Sequence, residues 1–421
     1  MIEELYQIYL QHPQICTDTR SITAGCLFFC LKGDVFDGNT FARQALEAGA
    51  YCVVTEDVSL KEEKGFYVVK DALLTLQELA AYHRSQLTIP VLGITGTNGK
   101  TTTKELVTCV LQTKYKVSFT KGNFNNHIGV PLTLLSIPKD TEVAVVEMGA
   151  NHVGEIADLC NISRPTFGVV TNIGIAHIEG FGSRENIILT KRALYDAVMA
   201  QKGVVFVNGG DETLVDCVGD YPDQVRYGHC EGSVCVGTIV DMTPYLSVCV
   251  KDSTFTTHLT GEYNLSNIEC ALAVGGYFGV EMEKAMTAIS GYIPTNNRSQ
   301  VVQSGSNVLI ADYYNANPSS MMAALRNLCK LKHAHKVAVL GDMLELGTVS
   351  RDEHLKIVNF CKENGIEGIF VGHQFQSLGL PSMVALENVE ELNQYLKGHP
   401  ITYSMVLVKG SRGIHLEKIV L

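Results

Sequence analysis

Tryptophan is missing from this chain of 421 residues, proline supplies only 11 of them, and no more than 18% are charged. No apolar run approaches the ~18 residues needed to span a bilayer, which excludes a transmembrane helix. Met1-Ile2-Glu3-Glu4 places no basic stretch ahead of an apolar one, so no secretory leader is expected. Low-complexity tracts are equally lacking, and with 46% hydrophobic residues the whole chain is expected to fold. Cations are in deficit, 33 Lys and Arg against 44 Asp and Glu, for a net charge of −11. A surface that neutralises nucleic-acid phosphates needs clustered Lys and Arg, so nucleic acid is excluded as a partner, whereas small anions in local cationic pockets are not. No C-x-x-C occurs among the 13 cysteines, their number is odd, and Cys52, Cys109, Cys249 and Cys270 sit in apolar segments. Reduced core thiols are expected, not a disulfide framework or a zinc site. These absences together describe a soluble cytoplasmic protein, expected to be a monomer.

What is present is length and alternation. A chain of 421 residues exceeds a single hydrophobic core, and short apolar strands alternate with helical segments throughout. The expected fold class is α/β in three domains, the central one a mostly parallel sheet of P-loop type. A small α/β domain over 1–87 precedes this central domain at 88–298, and a Rossmann-like α/β domain over 299–421 follows it. Within 233–260 the residues alternate apolar and polar in several short segments, which predicts an antiparallel appendage.

The stretch Gly93-Ile-Thr-Gly96-Thr97-Asn98-Gly99-Lys100-Thr101-Thr102-Thr-Lys104 carries the strongest chemical signal. Glycines let the backbone approach an anion closely, and a helix that follows points its positive end at it. The context supplies both flanks: Pro90 to Ile94 reads as a buried strand, and Leu106, Val107, Val110 and Leu111 recur at helical spacing. Lys100 is then placed to reach β- and γ-phosphates and the Thr101 hydroxyl a Mg²⁺. Five residues rather than four separate Gly93 from Gly99, so the strict G-x-x-x-x-G-K-[ST] pattern fails and the working core is Gly96 to Thr101.

Ligands of open parallel sheets bind beyond the carboxyl ends of strands. Glu147 follows the apolar run Val143 to Val146 and is a candidate Mg²⁺ ligand, with a solvated acid or a structural ion pair as the alternatives. His177 follows the strand ending at Thr171 and is a second candidate, although a lone histidine is more often structural. Lys191 lies in a helix from Arg184 to Met199, where periodicity does not separate it from Arg192.

Several segments in order resemble the Mur ligases of peptidoglycan synthesis. They are Gly96 to Thr103, Asn125-Asn126-His127-Ile-Gly-Val-Pro131, Glu147-Met-Gly-Ala-Asn-His152, and Asn172-Ile-Gly-Ile-Ala-His177 through Ser183. Asp312-Tyr-Tyr-Asn315-Ala-Asn317-Pro318, Leu340-Gly-Asp-Met-Leu-Glu-Leu-Gly347 and Val408-Lys409-Gly-Ser411-Arg412 resemble the branch of that family that adds D-alanyl-D-alanine. The resemblance covers nearly the whole chain.

It implies that Gly96, Thr97, Asn98, Gly99, Lys100, Thr101 and Thr102 hold ATP phosphates. Thr101 and Glu147 would bind one Mg²⁺, and His177 with Lys191 a second, Lys191 being open to carbamylation. Asn264 and Asn267 match the adenine side, an N-cap being the other reading of Asn264. Arg298 and Asp312 match γ-phosphate and ribose contacts, with a surface pair at a linker as the alternative. Thr19, Arg20, Ser21, Gly38 and Asn39 match the uridine-diphosphate end of the other substrate, although Gly38 also reads as a turn and Asn39 stands where the family commonly has His. Asn126, Asn315 and Asn317 join the substrate set. Lys409, Ser411 and Arg412 are expected to receive a dipeptide carboxylate, unless they form a solvated charge cluster, and Asp342 or Glu345 to orient an amine. The implied reaction joins D-alanyl-D-alanine to UDP-N-acetylmuramoyl-tripeptide through an acyl phosphate, with Lys100, His177, Lys191 and Arg298 as the catalytic set. A sister ligase adding one amino acid, a folylpolyglutamate synthase-like ligase and a nucleotide-binding switch are the alternatives.

Overall fold

Buried on both faces, runs of Val, Ile, Leu and Ala form parallel strands, and the computed structural model, which describes residues 2–33, 35–381 and 383–421, arranges them in four sheets. Asp34, inside the segment Lys32 to Asn39, lies outside the described residues. In the first sheet β1 (Ile15–Cys16), β2 (Leu27–Phe29), β3 (Cys52–Thr55) and β4 (Phe66–Val68) lie in sequence order, all parallel. A helix over Ala72–Gln86 follows, capped by the Asp71 carboxylate accepting from the Leu74 amide.

The central sheet holds β5 (Val91–Thr95), β6 (Val117–Phe119), β7 (Val143–Glu147), β8 (Phe167–Val170), β9 (Val204–Asn208) and β10 (Gln224–Tyr227). Their order is β10-β9-β8-β5-β7-β6, all parallel. β5 therefore stands between β7 and β8, where the chain changes direction across the sheet and a crevice opens at the strands' carboxyl ends. The expected antiparallel appendage is present as β11 (Gly237–Asp241), β12 (Ser247–Val250) and β13 (Ser253–Thr256).

The last sheet contains β14 (Gln300–Ser304), β15 (Asn307–Asp312), β16 (Lys336–Gly341), β17 (Glu367–Val371), β18 (Val384–Leu386) and β19 (Met405–Lys409), in the order β14-β15-β19-β16-β17-β18. Only β14 runs antiparallel to its neighbour. Among the described residues no helix is long and apolar enough to cross a membrane.

The cores divide unevenly. One apolar cluster runs from Leu5, Leu76 and Leu79 through Leu134 and Leu159 to Tyr195, so the first sheet's helices share a core with the central sheet. Arg84 ties the seam by donating from Nε to Ser163 O at 2.9 Å and from Nη2 to Arg164 O at 3.1 Å, and Tyr9 donates to Leu135 O at 2.7 Å. The last sheet keeps its own two clusters, formed only by residues beyond 307. Its contacts with the central body are polar: Asn327 Nδ2 donates to Thr260 Oγ1, Asn98 Nδ2 to Ser319 Oγ, and Lys330 pairs with Glu262. No apolar cluster spans this boundary among the described residues, and boundaries of that kind generally permit one body to move against another.

Candidate functional site

The loop after β5 has the shape its glycines dictate. Gly96 has φ +142°, and a Cβ there would lie 2.0 Å from Thr171 Oγ1; Gly99 has φ +79°, with Asn267 Oδ1 at 2.7 Å from the same imagined atom. No other residue fits either place. The next strand's end pins the loop: Thr97 N donates to Asn172 O at 2.9 Å, Asn98 N to Asn172 Oδ1 at 3.0 Å, and Thr171 Oγ1 to Asn98 O at 2.6 Å. Helix Lys100–Gln112 then starts with no side-chain cap, leaving its first amides free to meet an anion. Lys100 Nζ donates to Gly96 O at 2.8 Å and Thr97 O at 3.0 Å, and burial pushes its pKa down to about 8 against the opposing pull of Glu147.

Glu147 ends β7 almost wholly buried. Its Oε1 accepts from Asn125 Nδ2 at 2.8 Å and Thr101 Oγ1 at 3.2 Å, whereas Oε2 is buried with no hydrogen-bond partner. A buried carboxylate oxygen without a donor is costly unless a cation meets it. That orphan, beside the Thr101 hydroxyl, fits Mg²⁺, which takes one or two protein oxygens and completes its shell with phosphate and water. Consistently, among the described residues no cluster of three or more His, Cys, Asp or Glu is ready to hold an ion alone.

His177 sits at φ +50° with Nδ1 hydrogen-bonded to Glu345, and burial lowers its pKa while Glu345 opposes the shift. Lys191 is 3% exposed, and its ammonium lies 5.5 Å from the centre of the Phe181 ring. No carboxylate forms a salt bridge with it among the described residues. Burial first, and the charge of Lys100 second, push its pKa down to about 7. The periodicity of its helix gave no such sign.

A cavity of about 850 Å³ opens between the central sheet and the last one. The expected residues Thr97 to Lys100, Thr102, Asn126, Glu147, His177, Asn264, Asn267, Arg298, Asp312, Asn315, Asn317 and Lys409 line it. Gly96, Thr101 and Lys191 are not among its lining residues. Asn264 stands at the N-cap of helix Leu265–Tyr277 but makes no capping hydrogen bond; its Nδ2 donates to Thr260 O, and Asn267 Nδ2 donates to its Oδ1. Asn267 in turn accepts from Thr103 and backs Gly99. Asp312 receives Ser299 N on Oδ1 and Lys409 Nζ on Oδ2 at 2.7 Å.

That last bond places Lys409 differently from the expectation. Its ammonium is buried, already paired with Asp312 and donating to Asn315 O, and it faces the larger cavity. Ser411 accepts from Leu344 N, so its hydroxyl is engaged in holding two loops together. Arg412 remains exposed and, with Ser411, Glu345, Leu344 and Asn315, lines an adjoining cavity of about 220 Å³. Of the two acids proposed for an amine, Asp342 is spent on the amides of Gln374 and Phe375, and Glu345 alone reaches the site.

Thr19, Arg20, Ser21, Gly38 and Asn39 line neither cavity. Arg20 is exposed and held by Asp18, and Asn39 Oδ1 accepts from Thr55 Oγ1 and Glu56 N. A Cβ on Gly38 would come within 2.5 Å of Leu31 O, which is a packing reason for that glycine. Asn125, Glu155 and Tyr314 border the larger cavity without having been singled out individually, although Asn125 and Tyr314 stood within quoted motifs.

A glycine loop between a central parallel strand and a helix, with a half-satisfied carboxylate at the neighbouring strand's end, defines a nucleoside-triphosphate site of the P-loop kind. Residues 13–91 match the Mur ligase family catalytic domain, 94–275 the Mur ligase middle domain, and 297–412 the Mur ligase glutamate ligase domain. The chain belongs to the Mur ligase family. It is 35% identical to the UDP-N-acetylmuramoyl-tripeptide–D-alanyl-D-alanine ligase of Bacillus subtilis, over 100% of this chain and 96% of that one. The crystal structure of MurF from Acinetobacter baumannii superposes with a TM-score of 0.85 at 31% identity, covering 96% of this chain and 91% of that one. MurF from Thermotoga maritima, in complex with ADP, superposes with a TM-score of 0.83 at 27% identity, covering 96% of each.

Proposed function

We propose that this chain is the ATP-dependent ligase that joins D-alanyl-D-alanine to UDP-N-acetylmuramoyl-tripeptide, in cytoplasmic synthesis of the peptidoglycan precursor. The observation that carries the reading is that the phosphate loop and Glu147 line one cavity with Glu345 of the last sheet's body, and Glu345 also lines the adjoining cavity that holds Arg412. Residues 1–87 hold the uridine-diphosphate end, 88–298 the ATP, and 299–421 the dipeptide.

The tripeptide's terminal carboxylate attacks the γ-phosphorus, ADP leaves, and an acyl phosphate forms. The dipeptide amine then attacks the acyl carbon, inorganic phosphate departs, and the amine proton is lost. Lys100, turned from the carbonyls of Gly96 and Thr97, meets the phosphates, and Arg298 meets the transferring group. Thr101 and Glu147 would hold one Mg²⁺, and His177 with a carbamylated Lys191 a second; such ions would supply neutralisation of charge on the transferring oxygens. A lysine with pKa about 7 has the free amine that captures CO₂, giving a carbamate and a released proton. Arg412 receives the dipeptide carboxylate, and Glu345 faces its amine. Positioning across the boundary supplies the remainder, so closure of the last sheet's body onto the central one belongs to the cycle.

The acyl phosphate has a direct test. With heavy oxygen in the tripeptide's terminal carboxylate, one labelled atom must appear in the released phosphate for each amide formed. Unlabelled phosphate overturns the mechanism.

A further inference from the structure

Two arginines that this reading assigns to different substrates meet at one aromatic ring. Tyr314 lies in the loop between β15 and helix Pro318–Lys330, and it lines both the 850 Å³ and the 220 Å³ cavities. The Arg298 guanidinium carbon stands 3.9 Å from its ring centre and that of Arg412 stands 5.8 Å away. Arg298 lines only the larger cavity and Arg412 only the smaller. Neither guanidinium forms an ion pair among the described residues, and Arg298 Nε is buried without a hydrogen-bond partner. The ring face is thus a contact the two cations have in common.

We infer that Tyr314 is a positioning residue shared by both arginines, through which nucleotide and dipeptide binding reinforce each other. The inference rests on the functional reading above. A ring face attracts a cation through its quadrupole, and two like charges held by one ring repel. An anion arriving on Arg298 neutralises one of them, which lets Arg412 settle against the ring in the orientation that receives a carboxylate. Coupling of this kind is reciprocal, so the dipeptide tightens the nucleotide by the same factor. Neither arginine needs to move far.

The experiment measures the dissociation constant of D-alanyl-D-alanine with and without a non-hydrolysable ATP analogue, together with KM for ATP and for the dipeptide. In the wild-type chain the analogue tightens the dipeptide by about five-fold or more. Tyr314→Phe keeps that ratio, because the ring face and not the hydroxyl carries the attraction. Tyr314→Leu brings the ratio close to unity and raises both KM values. A variant that merely folds poorly lowers kcat and leaves both KM values in place, which separates damage from positioning. A wild-type ratio in Tyr314→Leu overturns the inference, as does an equal loss in Tyr314→Phe or a KM change for one substrate alone. If the wild-type chain neither binds the dipeptide nor releases phosphate in its presence, the functional reading falls and the inference with it; normal turnover with an unaltered ratio in Tyr314→Leu removes the inference alone.

Discussion

Replacing Lys191 by methionine should stabilise the protein and silence it. The side chain is 3% exposed, its ammonium faces the Phe181 ring, and its pKa falls from an ordinary 10.5 to about 7 because burial penalises the charge. At about 1.4 kcal/mol for each tenfold change in proton affinity, that gap corresponds to about 4 to 5 kcal/mol of penalty for keeping the proton in the folded state. The sign follows from where the proton sits. Between pH 7 and 10.5 the unfolded chain binds it and the folded chain does not, so stability rises with pH across that window. The penalty is fully present below pH 7 and has vanished near 10.5. Methionine keeps the length and places a thioether beside the ring. Urea unfolding in CO₂-free buffer should therefore show Lys191→Met more stable than wild type by several kcal/mol at pH 7, with the advantage shrinking by pH 10. Ligase turnover should be lost in the same variant, and in Lys191→Ala short carboxylates such as acetate should restore part of it. A variant less stable at pH 7, with a difference that does not change with pH, would refute the reasoning.

Other parts of the site make their own predictions. Lys100→Met should lower turnover by about a thousand-fold or more with the circular-dichroism spectrum unchanged, since the residue meets charge that develops on phosphate; near-normal rates would remove it from the site. Glu147→Gln takes the charge from the one buried carboxylate oxygen that lacks a donor among the described residues, so the Mg²⁺ concentration for half-maximal rate should rise about ten- to a hundred-fold. Far from the site, His83 hydrogen-bonds Tyr6 OH at 3.1 Å inside the shared core, and burial pulls its pKa down to about 4. The unfolded chain takes up that proton first as pH falls from 6.5 towards 4, so stability should drop by up to about 3 kcal/mol in that range, and His83→Gln should flatten the loss in acid unfolding curves.

Strands at the middle of each sheet were plain in the sequence because both faces are buried and their apolar runs are unbroken. The strands that were not anticipated, β1, β6, β10, β14 and β18, all lie at sheet edges, where four are at most four residues long and β14 reads Gln-Val-Val-Gln-Ser. Half-exposed edges carry little pattern. The phosphate loop and Glu147 were legible for the opposite reason, since their chemistry is local to one strand end. Lys191 depends on a helix packing its ammonium beside a ring, and Lys409 on reaching Asp312 from a strand 97 residues away, so residue type alone showed neither the burial of the first nor the ion pair of the second. Tyr314 acquires meaning only when the last sheet's body lies against the central one.

The central claim is that phosphate transfer here serves amide formation with a dipeptide. Phosphate release measured with ATP, UDP-N-acetylmuramoyl-tripeptide and D-alanyl-D-alanine, omitting each in turn, tests it most directly. The account predicts release only with all three present, with one new amide for each phosphate. Release that proceeds equally without the dipeptide, or equally well with a single amino acid in its place, would contradict it.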